Sequence, residues 1–250
     1  MVDTHCHLDS CEPPDAELVE RARAAGVTRL ATVGMHDESI ERALGAAREL
    51  DEVVAIVGRH PHYTEGFGDA DLERIERAAA DPRARAIGET GLDYFRDRAP
   101  REDQRRAFEA QIDLAERSGL ALVIHTREAE EDTFALLGDR AGGVTVILHC
   151  FSAPGRIDEC VERGYMCSFA GNVTYPKATD LQAAARDLPE ELLLVETDSP
   201  YLAPQPVRGK PNEPANVVAT ARFVAELRGV GYEELEAVVD RNAARVLGDW

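Results

Sequence analysis

Several things are scarce in this 250-residue chain. No apolar run approaches the roughly 18 residues that a membrane span needs, so no membrane partner is expected. The N-terminus passes from Met1 directly into a predicted strand with no charged leader, so no signal peptide is expected. The five cysteines (6, 11, 150, 160 and 167) are odd in number and form no C-x-x-C pair, which argues against a disulfide framework or zinc ribbon. A reducing, cytoplasmic setting is expected. Lysine is nearly missing: it occurs only at 177 and 210, within a total of 28 basic residues.

Positive charge is scarce too. Asp and Glu number 47, giving a formal net charge of −19. Two readings fit an acidic, arginine-biased chain: a GC-rich genome, or a high-salt cytoplasm that screens self-repulsion. Either way, an extended basic surface for long duplex DNA is not expected.

What is abundant is a rhythm. Short apolar, β-branched runs at 2–7, 28–33, 53–58, 85–89, 121–125, 144–149, 165–170 and 192–197 alternate with amphipathic stretches. Helical spacing predicts helices over 15–25, 101–118 and 214–228, with Gly26, Gly119 and Gly229 at their ends. A further helix over about 232–247 follows no strand. Eight strands each followed by a helix predict an α/β fold, a TIM-type (β/α)8 barrel with an extra C-terminal helix, as a single domain over 1–250. The turn-rich segment 199–214 lies too near the C-terminus to divide two domains. An open doubly wound sheet is the alternative.

The strand ends favour the barrel. His5 and His7 end strand 1, two apart and so on one face. Glu89 ends strand 4, His125 strand 5, His149 strand 6 and Asp198 strand 8. An open sheet spreads these positions along a line; a closed barrel brings them to one mouth. Buried imidazoles and carboxylates need partners or a cation. Six N/O groups are too many for one ion and about right for two, and they suit Zn²⁺, Mn²⁺ or a similar ion over Ca²⁺. Neither lysine ends a strand, Lys177 being read as opening a helix and Lys210 as a loop residue. A carbamate bridge is therefore excluded and Glu89 takes its place. The expected division is His5, His7, Glu89 and Asp198 on one ion, and Glu89, His125 and His149 on the other. Cys6 and Cys150, each one step from a histidine, are read as packing residues on the opposite strand face.

These blocks resemble the TatD family of metal-dependent deoxyribonucleases, in the amidohydrolase-like barrel group. The resemblance runs from Asp3-Thr4-His5-Cys6-His7-Leu8-Asp9 to Asn242-Ala243-Ala244-Arg245. Its most specific pieces are Gly88-Glu89-Thr90-Gly91-Leu92-Asp93-Tyr94, Glu196-Thr197-Asp198-Ser199-Pro200-Tyr201-Leu202-Ala203-Pro204, and Arg208-Gly209-Lys210 with Asn212-Glu213-Pro214. It implies the same six metal residues and adds His60. It also implies phosphodiester hydrolysis in DNA, often as a 3′→5′ exonuclease on single strands, with two divalent ions and Mg²⁺ commonly in support. Arg59, Ala153 and Pro211 depart from the family's usual residues without removing a ligand.

The expected catalytic groups are Glu89, Asp198 as proton acceptor from water, and His60 as donor to the phosphate or leaving oxygen. His36 and His62 are read as ordinary loop residues. Arg59, Arg96, Arg98, Arg127, Arg208 and Lys210 are placed in mouth loops. Arg96 and Arg98 are expected to be paired with carboxylates, and Arg127 to be the phosphate clamp. His60, Arg127, Tyr201, Arg208 and Lys210 make the expected substrate-binding set. The partner is DNA at a single-stranded or frayed end; no obligate protein partner is inferred and a monomer is expected. Two rivals stand: a hydrolase of a small ester, lactone, amide or phosphoester, and a silent metal-stabilised scaffold.

Overall fold

The β-branched and leucine-rich runs form strands because both of their faces can be buried, as parallel sheets require. In the computed structural model, which describes residues 1–248, these are β1 (Val2–Cys6), β2 (Arg29–Gly34), β3 (Val53–Val57), β4 (Ala84–Asp93), β5 (Ala121–Arg127), β6 (Val146–Leu148), β7 (Met166–Phe169) and β8 (Leu193–Val195). Positions 249 and 250 of the expected domain lie outside the described residues. The helices are α1 (Asp15–Ala24), α2 (Asp37–Glu49), α3 (Asp69–Ala79), α4 (Arg101–Ser118), α5 (Glu130–Arg140), α6 (Ile157–Arg163), α7 (Thr179–Asp187), α8 (Val217–Arg228) and α9 (Tyr232–Leu247). Left-handed glycines, Gly119 and Gly229, end α4 and α8.

The strands lie in sequence order, each parallel to the next. The remaining seam, from β8 to β1, is drawn together by the segment after β8. Asp198 N donates to His5 O (2.9 Å), His7 N to Ser199 O (2.8 Å), and Thr4 Oγ1 to Val195 O (2.9 Å). The result is a nearly closed TIM-type barrel. The extra helix α9 lies beside β8, where Asn242 Nδ2 donates to Leu193 O (2.9 Å). No helix among the described residues is long and apolar enough to cross a membrane.

Some expected boundaries shift. The helix expected over 214–228 opens with a 3-10 turn, Pro214–Asn216, before α8. Lys177 lies in an exposed turn ahead of α7 and does not open it. Glu89 does not end β4. The strand shifts register between Ile87 and Thr90 and continues beside β5 to Asp93. That continuation requires Gly91, because a Cβ there would sit 2.0 Å from His125 O at φ +133°. Cys6 packs in the core as expected, but Cys150 does not. β6 stops at Leu148, Cys150 takes φ +43°, and its side chain turns to the barrel mouth, because strand alternation no longer applies.

All five non-glycine residues with positive φ among those described (Asp97, Glu128, Cys150, Asp198 and Leu202) follow β4, β5, β6 or β8. Backbone strain of this kind collects at functional sites. Here it marks the C-terminal mouth.

Candidate metal centre

An open cavity of about 570 Å³ lies at that mouth, with His7, His60, Glu89, His125, His149 and Asp198 among its walls. Glu89 is its centre. One oxygen, Oε2, lies 3.5 Å from His5 Nε2 and 3.8 Å from His7 Nε2. The other, Oε1, lies 2.8 Å from His125 Nδ1, 3.2 Å from His149 Nε2 and 3.5 Å from His60 Nε2. Asp198 Oδ1 completes the first group, 3.4 Å from His7 Nε2 and 4.0 Å from His5 Nε2. The structure thus brings all six expected strand-end residues together, and His60 with them.

Buried glutamines of α4 hold this floor in place. Gln104 and Gln111 are seven apart, two helical turns, so both face the barrel. Gln111 accepts from Arg59 N (2.7 Å) and donates to Thr90 Oγ1 (2.7 Å), tying the segment that carries His60 to the one that carries Glu89. Gln104 Oε1 accepts from Asp93 N (2.9 Å).

Three further residues belong to the site. Asp93, fully buried, faces His125 Nε2 (3.1 Å) and His62 Nε2 (2.8 Å) with one oxygen and accepts from Arg96 N (2.7 Å) with the other. Glu196, also fully buried, accepts from Cys150 N (2.7 Å) and faces His149 Nδ1 at 2.8 Å. His62 is therefore not an ordinary loop residue; it is held by Asp93 and lines the cavity. Spacing offered a signal for two of them and none for Asp93: His60-x-His62 repeats the His5-x-His7 step, and Glu196-x-Asp198 lies two apart in an extended segment.

These partners fix where protons sit. A carboxylate only accepts, so His125 donates from Nε2 to Asp93 and His149 from Nδ1 to Glu196. Their other nitrogens then present lone pairs to Glu89 Oε1. Two acceptors at 2.8–3.2 Å need a proton or a cation between them. Burial opposes charge on His125 and His149, but Asp93, Glu196 and Glu89 outweigh it and raise both rings above the usual histidine value. Burial would likewise raise Glu89; His149, His60 and His125 outweigh it and hold the carboxyl well below its usual range. Asp198 is lowered against burial in the same way, His7 contributing most. This donor set of imidazoles around ionised carboxylates fits divalent cations. The groups His5–His7–Glu89, His60–Glu89–His125 and His5–His149–Glu196 each have ligand atoms within 4.8 Å of one another.

A pH dependence follows. In the metal-free protein the protons between Glu89 and the rings of His125 and His149 persist above pH 6.5, because both rings are raised. A bound cation displaces them. Metal affinity is thus expected to rise as pH climbs through and beyond the ordinary histidine range, then flatten above the raised values. Calorimetric titration at neutral pH in buffers of different protonation enthalpy should show release of about one to two protons. A binding heat independent of buffer would remove the proton-displacement picture.

His60 differs. Its Nδ1 accepts from His62 N (3.0 Å), so the proton of the neutral ring sits on Nε2. Burial pushes its pKa well below the usual value, which keeps it neutral.

The cationic loops divide otherwise than expected. Arg59 is buried and pairs with Asp37 and Asp71 (3.3 Å), away from the cavity. Arg208 stacks on Tyr175, 4.2 Å from the ring centroid, and neither it nor Lys210 lines the cavity. Arg96 and Arg98 do line it, and neither makes the expected ion pair among the described residues; nor does Arg127. The partner that acid-rich composition suggested for Arg96 and Arg98 is missing because nearby Asp97 turns to Arg101 (3.2 Å). Tyr201 is exposed on the cavity wall, its ring 6.0 Å from that of His7.

Comparison with known proteins adds four findings. A family model described as TatD related DNase matches residues 2–248. An "uncharacterized metal-dependent hydrolase TatD" of Mycobacterium tuberculosis is 43% identical, covering 99% of this chain and 98% of that protein. A "3'-5' ssDNA/RNA exonuclease TatD" of Dickeya dadantii is 35% identical over 92% of this chain and 90% of its own length. Among solved structures, YjjV, a TatD homologue from Escherichia coli, superposes with a TM-score of 0.92 at 28% identity, covering 100% of this chain and 98% of that one.

Proposed function

The chain belongs to the TatD family of metal-dependent hydrolases, and from that premise we propose that it is a 3′→5′ exonuclease acting on single-stranded or frayed nucleic-acid ends. The observation that carries this reading is local. In a chain of net charge −19, the cavity around Glu89 is rimmed by Arg96, Arg98 and Arg127, none of them paired with a carboxylate among the described residues. Such a mouth focuses anions on an otherwise repelling body. It is also small, which suits one or two nucleotides at a chain end and not a long duplex. The named activity of the Dickeya dadantii relative points the same way.

In this reading His5, His7, Glu89 and Asp198 hold one divalent ion, and Glu89, His125 and His149 a second. When bound, such a pair supplies an acidified water and neutralises phosphate charge. The chain's own groups do the rest. Asp198, half-buried and ionised, orients the water and accepts its proton. His60, neutral, donates a hydrogen bond from Nε2–H to a phosphoryl or leaving oxygen and keeps its proton. Asp93 and Glu196 fix the rings of His125 and His149 in the required tautomers. Arg127 offers its planar fork to a phosphate.

The test is release of mononucleotides from end-labelled single-stranded DNA, with duplex and RNA alongside, in Mg²⁺, Mn²⁺ or Zn²⁺. Stepwise release from the 3′ end of single strands is expected, with duplex interior resistant. No release under any ion, together with turnover of a lactone or small-ester panel, would transfer the site to the small-molecule hydrolase reading.

A further inference from the structure

Four large apolar side chains stand exposed among the described residues, and three are aromatic: Tyr63 (42%), Phe95 (49%) and Tyr201 (54%). Tyr63 and Tyr201 line the cavity; Phe95 stands just beyond it, between lining residues. It follows Asp93 by two residues, in a loop anchored by the Arg96 N to Asp93 hydrogen bond. The Arg127 guanidinium lies 3.9 Å from its ring centroid and that of Arg96 5.5 Å.

We propose that Phe95, with Arg127 stacked on it, is a base-stacking shelf for the nucleotide next to the one released. This rests on the exonuclease reading and extends it to a second subsite. An exposed phenyl ring forgoes the burial that phenylalanine normally finds. Arg127 covers only part of it. A guanidinium over a ring face is attracted by the ring's π electrons, and Arg127 makes no carboxylate pair among the described residues. Stacked there, it keeps its N–H edges free for a phosphate in line with the ring plane. Arginine on an aromatic face is the pairing that single-strand binders use for base and backbone together. Its place just outside the cavity suits the neighbour of the reacting nucleotide, since the reacting phosphate must lie at Glu89. The preference is blind to sequence, because every base has a π-face.

The experiment uses the metal-loaded enzyme and single-stranded oligonucleotides carrying one abasic residue at each of the last few 3′ positions in turn. In the wild type, an abasic residue adjacent to the released nucleotide is expected to raise KM about tenfold, within the range for one stacked base. Phe95→Ala should raise KM on the intact strand by a similar factor and become indifferent to that abasic position. Phe95→Trp should restore the sensitivity. An unchanged abasic penalty in Phe95→Ala overturns the shelf while leaving the nuclease reading intact. If the wild type releases no nucleotide from any strand, the nuclease reading falls, and the shelf with it.

Discussion

Replacing Glu89 with alanine is expected to remove bound divalent metal and nucleic-acid hydrolysis together, the latter by about a thousandfold or more. The reason is its position between two sets of imidazoles. Oε1 faces His60, His125 and His149; Oε2 faces His5 and His7. Among the described residues no other carboxylate pairs within 4.0 Å with rings of both sets: Asp198 reaches only His5 and His7, and Glu196 only His149. Without Glu89, five rings, four of them buried, lose the anion that offsets a shared cation or proton, and taking each such charge from water costs several kcal/mol. Glu89→Gln is the shape-preserving control and should lose metal as well, since the amide offers one weak acceptor where the carboxylate offers two anionic ones. Metal content by mass spectrometry and release from end-labelled single-stranded DNA are measured on the same preparations. Survival of both in Glu89→Ala would show that Glu89 does not bridge.

The barrel could be read from the chain because each strand is a separate apolar run with its own turn residues. Its mouth could be read because His5, His7, His125, His149 and Asp198 stand where those runs stop. Glu89 stands elsewhere than its apolar run implies. It lies inside β4, which continues to Asp93 after a register shift that no local pattern encodes. The continuation depends on the close approach of Gly91 to the His125 backbone, a contact between strands 34 residues apart in sequence.

The carboxylates behind the rings were harder to see. Asp93 and Glu196 are acidic residues in an acid-rich chain, and only the tertiary structure brings them to His125 and His149. The same holds for cations. Arg59 lies just past β3 and Arg127 is the last residue of β5, yet Arg59 pairs with Asp37 and Asp71 while Arg127 pairs with no carboxylate among the described residues and lies over the Phe95 ring. Composition fixes how many charges must pair; the fold decides which stay free. Among the described residues, Arg96, Arg98 and Arg127 stay without an ion pair at the cavity.

The second large effect is expected from Asp198→Asn, through kcat and not through metal content. Asp198 is fixed by its backbone: N donates to His5 O (2.9 Å), O accepts from Tyr201 N (2.8 Å), and φ is +53°. Asparagine tolerates that left-handed conformation, so the fold around it should stand. The carboxyl is held below its usual range, so at neutral pH it is ionised and able to take a proton. The amide cannot take one. A loss of about 10³ in kcat is expected, the middle of the range for a general base. His5, His7 and Glu89 remain around the first ion, so saturating Mn²⁺ should refill that position in the variant. The two roles assigned to Asp198, ligand and proton acceptor, then separate by titration. If raised Mn²⁺ restores kcat, Asp198 acts only by holding the ion. If metal content recovers and kcat does not, the missing step is the proton transfer from water, and the acceptor at this position is the carboxylate.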